Sequence, residues 1–475
     1  MSIAGRAKLW QGRLSATQLS FDWFAALHDL LSYQGHGLGA PSSPQVLGRI
    51  ALKHDSDLRQ ALDDGLDLPA AVREEISAAI GLLSDHTRQL ESLTELWGWI
   101  ELLDSKFPGL NVSFSATGSL STVRARERLL EAGTLSSSLE LGWVGPKAMS
   151  GARGTQVTSR LTNLTRVDCE GTAIVDYHSL HLAGVAADIA SIQVAVVPLV
   201  HDAAELSWEF SGDRYRVRVS DEAVTTLIDR VLKALDEIGN RAHVIVLPEL
   251  VVCPRITESI TAWLFGRPLG SLPNAVFCGT ALIERSDGTV RNEGCIAVSE
   301  ANVSLPQYKL NPYTLKADHR AHVTLPGADA MSDYVEQIDT TPHQITVIDV
   351  AGLGRLVMLI CEDLSRMRPW RELLIGFGPN FCAVPIMNGD GWDWVHNAGI
   401  DIANETGTTL IVANSGTLLP ARSEDKGLFV GCFSPLKRLG GRHVWTEVAR
   451  SADRQDPSWL LMAGPKWPLR HGIDV

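Results

Sequence analysis

Three side chains of complementary chemistry stand in the second half of this chain: Glu249 at the end of the apolar run in VIVLPELVV, Lys309 in LPQYKLNPY and Cys361 at the mouth of the apolar run in GRLVMLICEDL. A carboxylate, an ammonium and a thiol are the parts that a covalent attack on a carbonyl or nitrile carbon requires. The carboxylate removes the thiol proton, sulfur adds to carbon, and the positive charge holds the developing oxyanion. Each residue also has an ordinary reading. Pro-Glu-Leu after a strand can be a solvated turn, most lysines are surface charges, and a buried cysteine is by default a small hydrophobe. A free thiol, with a pKa of about 8.5, carries little thiolate at neutral pH and needs a neighbouring cation or base; Lys309 and Glu249 are read as meeting that need. Cys253, four residues past Glu249, is a rival nucleophile that lacks the strand-end Cys-x-Asp setting.

In this chain order the three residues resemble the Glu, Lys and Cys pattern of the nitrilase superfamily, the carbon–nitrogen hydrolases, over roughly residues 190–450. The resemblance takes in an opening strand ASIQVAVVPL, a helix near 221–239, strands NAVFCGTALIER and EGCIAVSEA, and the late segment IANETGTTLIVANSG. Around the nucleophile, Ile360, Cys361, Glu362 and Asp363 keep the family form apolar-apolar-Cys-x-Asp. The resemblance implies that Cys361 is the nucleophile, that Glu249 is the general base and later the general acid, and that Lys309 and the backbone N–H of Glu362 form the oxyanion hole. It implies an α-β-β-α sandwich for residues 186–475 and a reaction that uses no cofactor. The substrate it implies is a small carboxamide or carbamoyl compound, with a nitrile as the rarer alternative. Pocket walls are expected from the loop after FCAVPIM, where Asn388, Trp392 and Trp394 are candidate substrate-binding residues; core or dimer packing is the competing role for the tryptophans. A homo-oligomer is likewise expected by resemblance.

Two departures from the family pattern stand out. Many members carry a second glutamate shortly after the lysine, whereas NPYTLKADHRAHVTLPGADAM has none; Asp318, Asp329 and the more distant Glu336 are the possible substitutes. Aligning the late helix on Asn414 puts Ile402, in place of an arginine, before Ala403, with Glu405 at the acid position.

The remaining motifs carry less. His178 and His181 in DYHSLH have metal-ligand spacing but no third ligand, so no metal is expected. FSATGSLSTVR lacks the glycine-serine density of a serine–lysine amidase. Gly352-Leu353-Gly354 has no third glycine or following helix and reads as a hairpin turn instead of a dinucleotide loop.

A length of 475 residues allows two substantial cores, and a hydrophobic fraction of 45% is ordinary for globular chains. A net charge of −13 and a pI near 5.5 oppose a phosphate-backbone partner, and the basic clusters RARER and PLKRLGGRHVW are short and interrupted. Neither nucleic acid nor membrane is therefore expected as a partner. The N-terminus lacks the apolar core of a signal peptide, and no run of about 18 apolar residues occurs, so a cytoplasmic location is expected. Seven scattered cysteines without CxxC pairs read as reduced thiols.

Residues 1–185 read as a separate, predominantly helical domain, with the strand-rich pattern setting in near Ile189. Within it, Val72, Ile76, Ile80, Leu83, Leu90, Leu93, Leu96 and Ile100 follow Pro69 at helical spacing, predicting one long helix or two stacked ones. GHGLGAPSSP and GWVGPKAMSGARGTQ read as connectors. This half is assigned packing, substrate gating or protein-partner binding. An alternative for the whole chain follows: a sensing or effector module whose hydrolase domain is silent until a partner or ligand engages it.

Overall fold

The structure is a computed structural model, and it describes residues 2–15, 20–33, 44–64, 67–106, 143–146, 164–167, 173–180, 192–199, 203–268, 270–299, 301–317, 325, 327–329, 331–341, 343–350, 353–366, 374, 377–387, 392–406, 408–415, 431–433, 445–447 and 460–462. The chain divides into two compact units: residues 1–172 with 372–378, and residues 173–371 with 379–475.

The first unit holds helices α1 (Ile3–Leu14), α2 (Ser20–Tyr33), α3 (Pro44–Asp64), α4 (Ala70–Leu82) and α5 (Gln89–Lys106). The periodic segment 69–106 is thus two helices, parted by a turn in which the Asp85 carboxylate accepts from the Thr87 N–H at 2.9 Å. Their apolar faces join one core with Trp10, Phe24, Leu27, Ile76, Leu96 and Trp99. Strands β1 (Trp143–Pro146) and β2 (Leu164–Val167) form an antiparallel pair. Strand structure therefore begins before Ile189. In the second unit β3 (Ala173–Leu180) also precedes that point, pairing in parallel with 343–350. Its Asp176, His178 and Ser179 dilute the apolar signal that marks the later strands.

The second unit is α/β. Its elements are β4 (Val194–Val196), β5 (Leu206–Ser211), β6 (Arg214–Val219), α6 (Asp221–Ile238), β7 (Val244–Val246), α7 (Pro254–Phe265), β8 (Ala275–Glu284), β9 (Val290–Val298), β10 (Val303–Tyr308), β11 (Thr314–Leu315), β12 (Tyr334–Glu336), β13 (His343–Val350), β14 (Gly354–Met358), β15 (Phe381–Ile386), α8 (Trp392–Thr406), β16 (Thr409–Asn414), β17 (Gly431–Phe433), β18 (Trp445–Glu447) and β19 (Leu460–Met462). One sheet runs β10-β9-β8-β7-β4-β19, and a second runs β18-β17-β16-β15-β14-β13-β3. The middle of each is parallel (β4, β7, β8 and β14, β15, β16), and these strands are apolar on both faces because both faces are covered. The sheets are tied at β10 and β13, where Thr346 donates from N–H to Gln307 Oε1 at 2.8 Å and from its hydroxyl to the Pro306 carbonyl at 2.6 Å.

Helix α6 buries Ala223, Leu227, Val231, Ala234, Leu235 and Ile238, an i, i+3/i+4 stripe, in the core with Val276, Ile245 and α7 residues Ile256 and Ile260. Asp221 and Glu222 in its first turn oppose the positive end of the helix dipole. A third, four-stranded sheet, β11-β12-β6-β5, carries the hairpin 206–219. Where 352–354 read as a hairpin turn, β13 and β14 pair antiparallel with Gly354 at φ +102°, and Gly352 lies outside the described residues.

Candidate active site

Glu249, Lys309 and Cys361 lie at the carboxyl ends of β7, β10 and β14, where open parallel sheets leave a crevice for chemistry. They come together around one pocket, and all three are buried, at 1%, 2% and 4% exposure. Burial of a carboxylate and an ammonium is tolerated only where they are paired and hydrogen-bonded. Here they are: Lys309 Nζ donates to Glu249 Oε1 at 2.7 Å and to Glu336 Oε2 at 2.6 Å.

The Glu249 turn depends on a bulge in β8. Register slips between Phe277 and Thr280, and Gly279 sits at φ +71° with the Pro248 carbonyl oxygen 2.3 Å from where a Cβ would stand. No other residue fits there without moving the turn. Thr280 then holds the turn from two sides, donating its N–H to the Pro248 carbonyl at 3.2 Å and accepting the Leu250 N–H on Oγ1 at 3.0 Å. Leu250 itself is at φ +62°. The second carboxylate oxygen, Glu249 Oε2, accepts the Met387 N–H at 3.1 Å, fastening the first sheet's acid to the end of β15 in the second.

Glu336, wholly buried at the end of β12, is the second acid beside the lysine. Of the three substitutes read from sequence, Asp329 bonds its own turn through Met331 and Ser332, and Asp318 lies outside the described residues. Asn292, mid-strand in β9, escaped the sequence reading altogether. Its Nδ2 donates to Glu249 Oε1 at 3.0 Å and to Glu336 Oε1 at 2.8 Å, while its carbonyl accepts the Lys309 N–H at 2.8 Å. The available signal was an amide at an inward position of a strand whose alternate residues Val290 and Gly294 are also buried.

Cys361 opens a 3-10 turn, Cys361–Leu364, at φ +48°, a conformation uncommon for a residue with a side chain and one that concentrates at active sites. Asp363 locks the turn. Its carboxylate accepts the Asn311 N–H at 2.9 Å, Asn311 Nδ2 at 2.8 Å, the Leu310 N–H at 3.3 Å and the Ile360 N–H at 3.4 Å, tying the cysteine to the segment that follows Lys309. Burial pushes Asp363 up to about 7, against the pull of Asn311 and Lys309.

Glu249 and the Cys361 thiol line the same pocket, close enough for each to act on the other's charge. Burial, then the Glu249 charge, hold Cys361 well above the ordinary thiol value despite Lys309. Glu249 is raised as well, by burial and by Glu336, with Lys309 opposing. Burial works against the ammonium of Lys309, but Glu249 and Glu336 together keep it well above the usual lysine value. Two carboxyl groups share one ammonium, and burial favours the neutral form of the thiol beside them.

No family model matches the chain, and no curated protein matches it. Among solved structures the chain is similar to an amidase from Nesterenkonia sp., with 15% identity, 59% of this chain and 93% of that chain covered, and a TM-score of 0.38. It is also similar to Saccharomyces cerevisiae Nit3, described as a member of branch 10 of the nitrilase superfamily, with 16% identity, 59% and 93% covered, and a TM-score of 0.34. These neighbours are nitrilase-superfamily proteins. The N-terminal part of the chain is unmatched.

Beyond the charged cluster the pocket, about 310 Å³ of empty space partly open to solvent, is walled by Trp208, Tyr215, Leu250, Tyr313, Leu315 and Met387. Asn388 lies outside the described residues, and Trp392 and Trp394 are described only as backbone in the first turn of α8. Ile402 and Ala403, the departure in the late helix, are both buried. Among the described residues no group of three His, Cys, Asp or Glu is arranged to hold a metal ion, and no helix is long and apolar enough to cross a membrane. Cys253, the rival nucleophile, caps the start of α7.

Proposed function

We propose that the second unit is a nitrilase-like α-β-β-α hydrolase of carbon–nitrogen bonds other than peptide bonds, acting on a small carboxamide or carbamoyl compound through Glu249, Lys309 and Cys361. The observation that carries this reading is the buried cluster of Glu249, Lys309, Glu336 and Asn292 set against a thiol at a strand end, in one pocket. Burying charges costs desolvation energy, and clusters that bear this cost concentrate at functional sites.

As Cys361 sulfur adds to the carboxamide carbon, its proton passes to Glu249 and the carbonyl π electrons move onto oxygen. Lys309 has two N–H bonds committed to carboxylates and directs its third at that oxygen, joined by the backbone N–H of Glu362. Collapse of the adduct breaks the C–N bond, and Glu249 returns the proton to the departing nitrogen, leaving a thioester. Water then adds to the thioester with Glu249 again as base. The acid departs and the thiol is restored. Glu336 and Asn292 orient Lys309 and Glu249 without touching the reacting carbon.

The test is a screen of amide, ureido and nitrile compounds for released ammonia, run beside intact-mass measurement of the protein. Acyl adducts on Cys361 and turnover that disappears in Cys361→Ala are expected. Turnover near wild type in that variant, or labelling confined to Cys253 or Cys432, removes the covalent mechanism.

A further inference from the structure

The hairpin β5–β6 is fixed to the second buried acid, Glu336, by backbone register. Tyr215 is the parallel register partner of Glu336, and its carbonyl accepts the Gln337 N–H at 3.0 Å. The strand pair that delivers the second carboxylate therefore also sets the position of the Tyr215 ring. Across the hairpin, β5 alternates: Ser207, Glu209 and Ser211 face solvent, whereas Leu206, Trp208 and Phe210 turn inward. The inward rings make a continuous surface. Trp208 lies 6.0 Å from Tyr215 at 24° and 6.3 Å from Phe210 at 9°, and Phe210 meets Tyr334 edge-on at 4.6 Å.

Trp208 and Tyr215 both open on the pocket, yet Trp208 is only half-buried, leaving ring surface for an occupant. Tyr313 and Leu315 belong to the same wall. Charge narrows the choice further. Among the described residues the one cation lining this pocket, Lys309, is already bonded to two carboxylates, and the other lining side chains apart from Glu249 are uncharged. A substrate carboxylate would find no counter-ion among these residues, and a second ammonium would have to compete with Lys309.

Resting on the hydrolase reading above, we infer that the β5–β6 hairpin is the specificity element of the site, and that Trp208 and Tyr215 select an uncharged amide whose non-reacting part is flat, an aryl or heteroaryl carboxamide. Flat rings are favoured because offset stacking adds to the apolar area removed from water. A branched aliphatic chain gains only the area.

The test compares kcat/KM for benzamide and nicotinamide with that for propionamide and isobutyramide, in the wild type, Trp208→Ala, Trp208→Phe and Tyr215→Leu. The wild type is expected to favour the aryl amides by about tenfold or more, equivalent to ~1.4 kcal/mol. That ratio should fall at least about fivefold in Trp208→Ala and be largely restored in Trp208→Phe. Circular dichroism checks folding, and if Trp208→Ala does not fold, Tyr215→Leu reads the same ratio. Calorimetry on Cys361→Ala measures the preference without turnover. Tighter binding of benzamide than propionamide, lost on adding Trp208→Ala, upholds the inference even if no amide is hydrolysed, an outcome that would strike only the hydrolase reading. A wild-type ratio near one, or a ratio that Trp208→Ala leaves unchanged, overturns it.

Discussion

Glu249 and Glu336 are bridged by the same two donors: Lys309 Nζ reaches one oxygen of each at 2.7 and 2.6 Å, and Asn292 Nδ2 reaches Glu249 Oε1 and Glu336 Oε1 at 3.0 and 2.8 Å. The pair is thereby a single electrostatic unit. Each accepts one further N–H, Glu336 from Tyr313 at 3.0 Å and Glu249 from Met387 at 3.1 Å, and Glu249 is the one that lines the pocket with the thiol.

The coupling predicts the behaviour of Glu336→Gln. Burial raises both Cys361 and Glu249, and Glu336 adds to the rise in each. Removing its charge lowers both. The pH at which Cys361 reacts half-maximally with iodoacetamide should move to lower values, while amide turnover falls by roughly 10–10³-fold as Lys309 loses its positioning partner. A midpoint that stays put or moves upward would show that Glu336 does not act on the thiol.

Asp363 carries a second prediction. Its folded value is about 7, set by burial, against about 3.9 in an unfolded chain. Between those values the native state binds the extra proton. The stabilisation this group contributes is complete below about pH 4 and is lost as pH rises through about 7. Asp363→Asn should therefore flatten the pH dependence of the urea midpoint between about pH 4 and 7, alongside a uniform loss from the weakened turn. Parallel wild-type and variant curves across that range would contradict the assignment.

Glu249 and Cys361 were legible as candidates because each follows an apolar strand, whereas Lys309 follows the mixed strand β10 and was read from its place between them in the chain. Glu336 was legible only as one of three acids. It stands 27 residues beyond Lys309 and arrives on a three-residue strand whose partner, β6, is more than a hundred residues earlier. Asn292 has no local signature beyond an amide in an apolar strand, since its meaning lies in two carboxylates from other strands. The hairpin 206–219 did have a signal, alternation on either side of Ser211-Gly212-Asp213, with Gly212 at φ +59°. It lies just past the opening strand of the family pattern and passed unread.

Gly279→Ala tests whether the bulge sets the Glu249 turn. The added Cβ would meet the Pro248 carbonyl at 2.3 Å and Val252 at 2.8 Å, on a backbone already at positive φ. Overpacking of this kind costs about 1–3 kcal/mol. A lower melting temperature should accompany a drop in turnover larger than that of an equally destabilised variant in the first unit, such as Leu27→Ala. Equal turnover losses at matched stability would mean that the bulge supports the sheet and not the acid.

Glu249→Gln separates proton transfer from structure. The glutamine oxygen can keep the bonds from Lys309 and Asn292, but its Nε2 then faces the Met387 N–H, donor against donor. That mismatch costs about 1–3 kcal/mol and should appear as a modest fall in melting temperature. The amide cannot take the Cys361 proton or return it to the leaving nitrogen. Turnover should drop about 10²–10⁴-fold with the protein still folded. Raising the pH should recover part of the thiol's reactivity toward iodoacetamide, because hydroxide can then do for the thiol what Glu249 no longer does, while amide turnover stays low for want of an acid to protonate the departing nitrogen. Amide hydrolysis within a few-fold of wild type, together with the expected loss of melting temperature, would reduce Glu249 to an anchor for its turn.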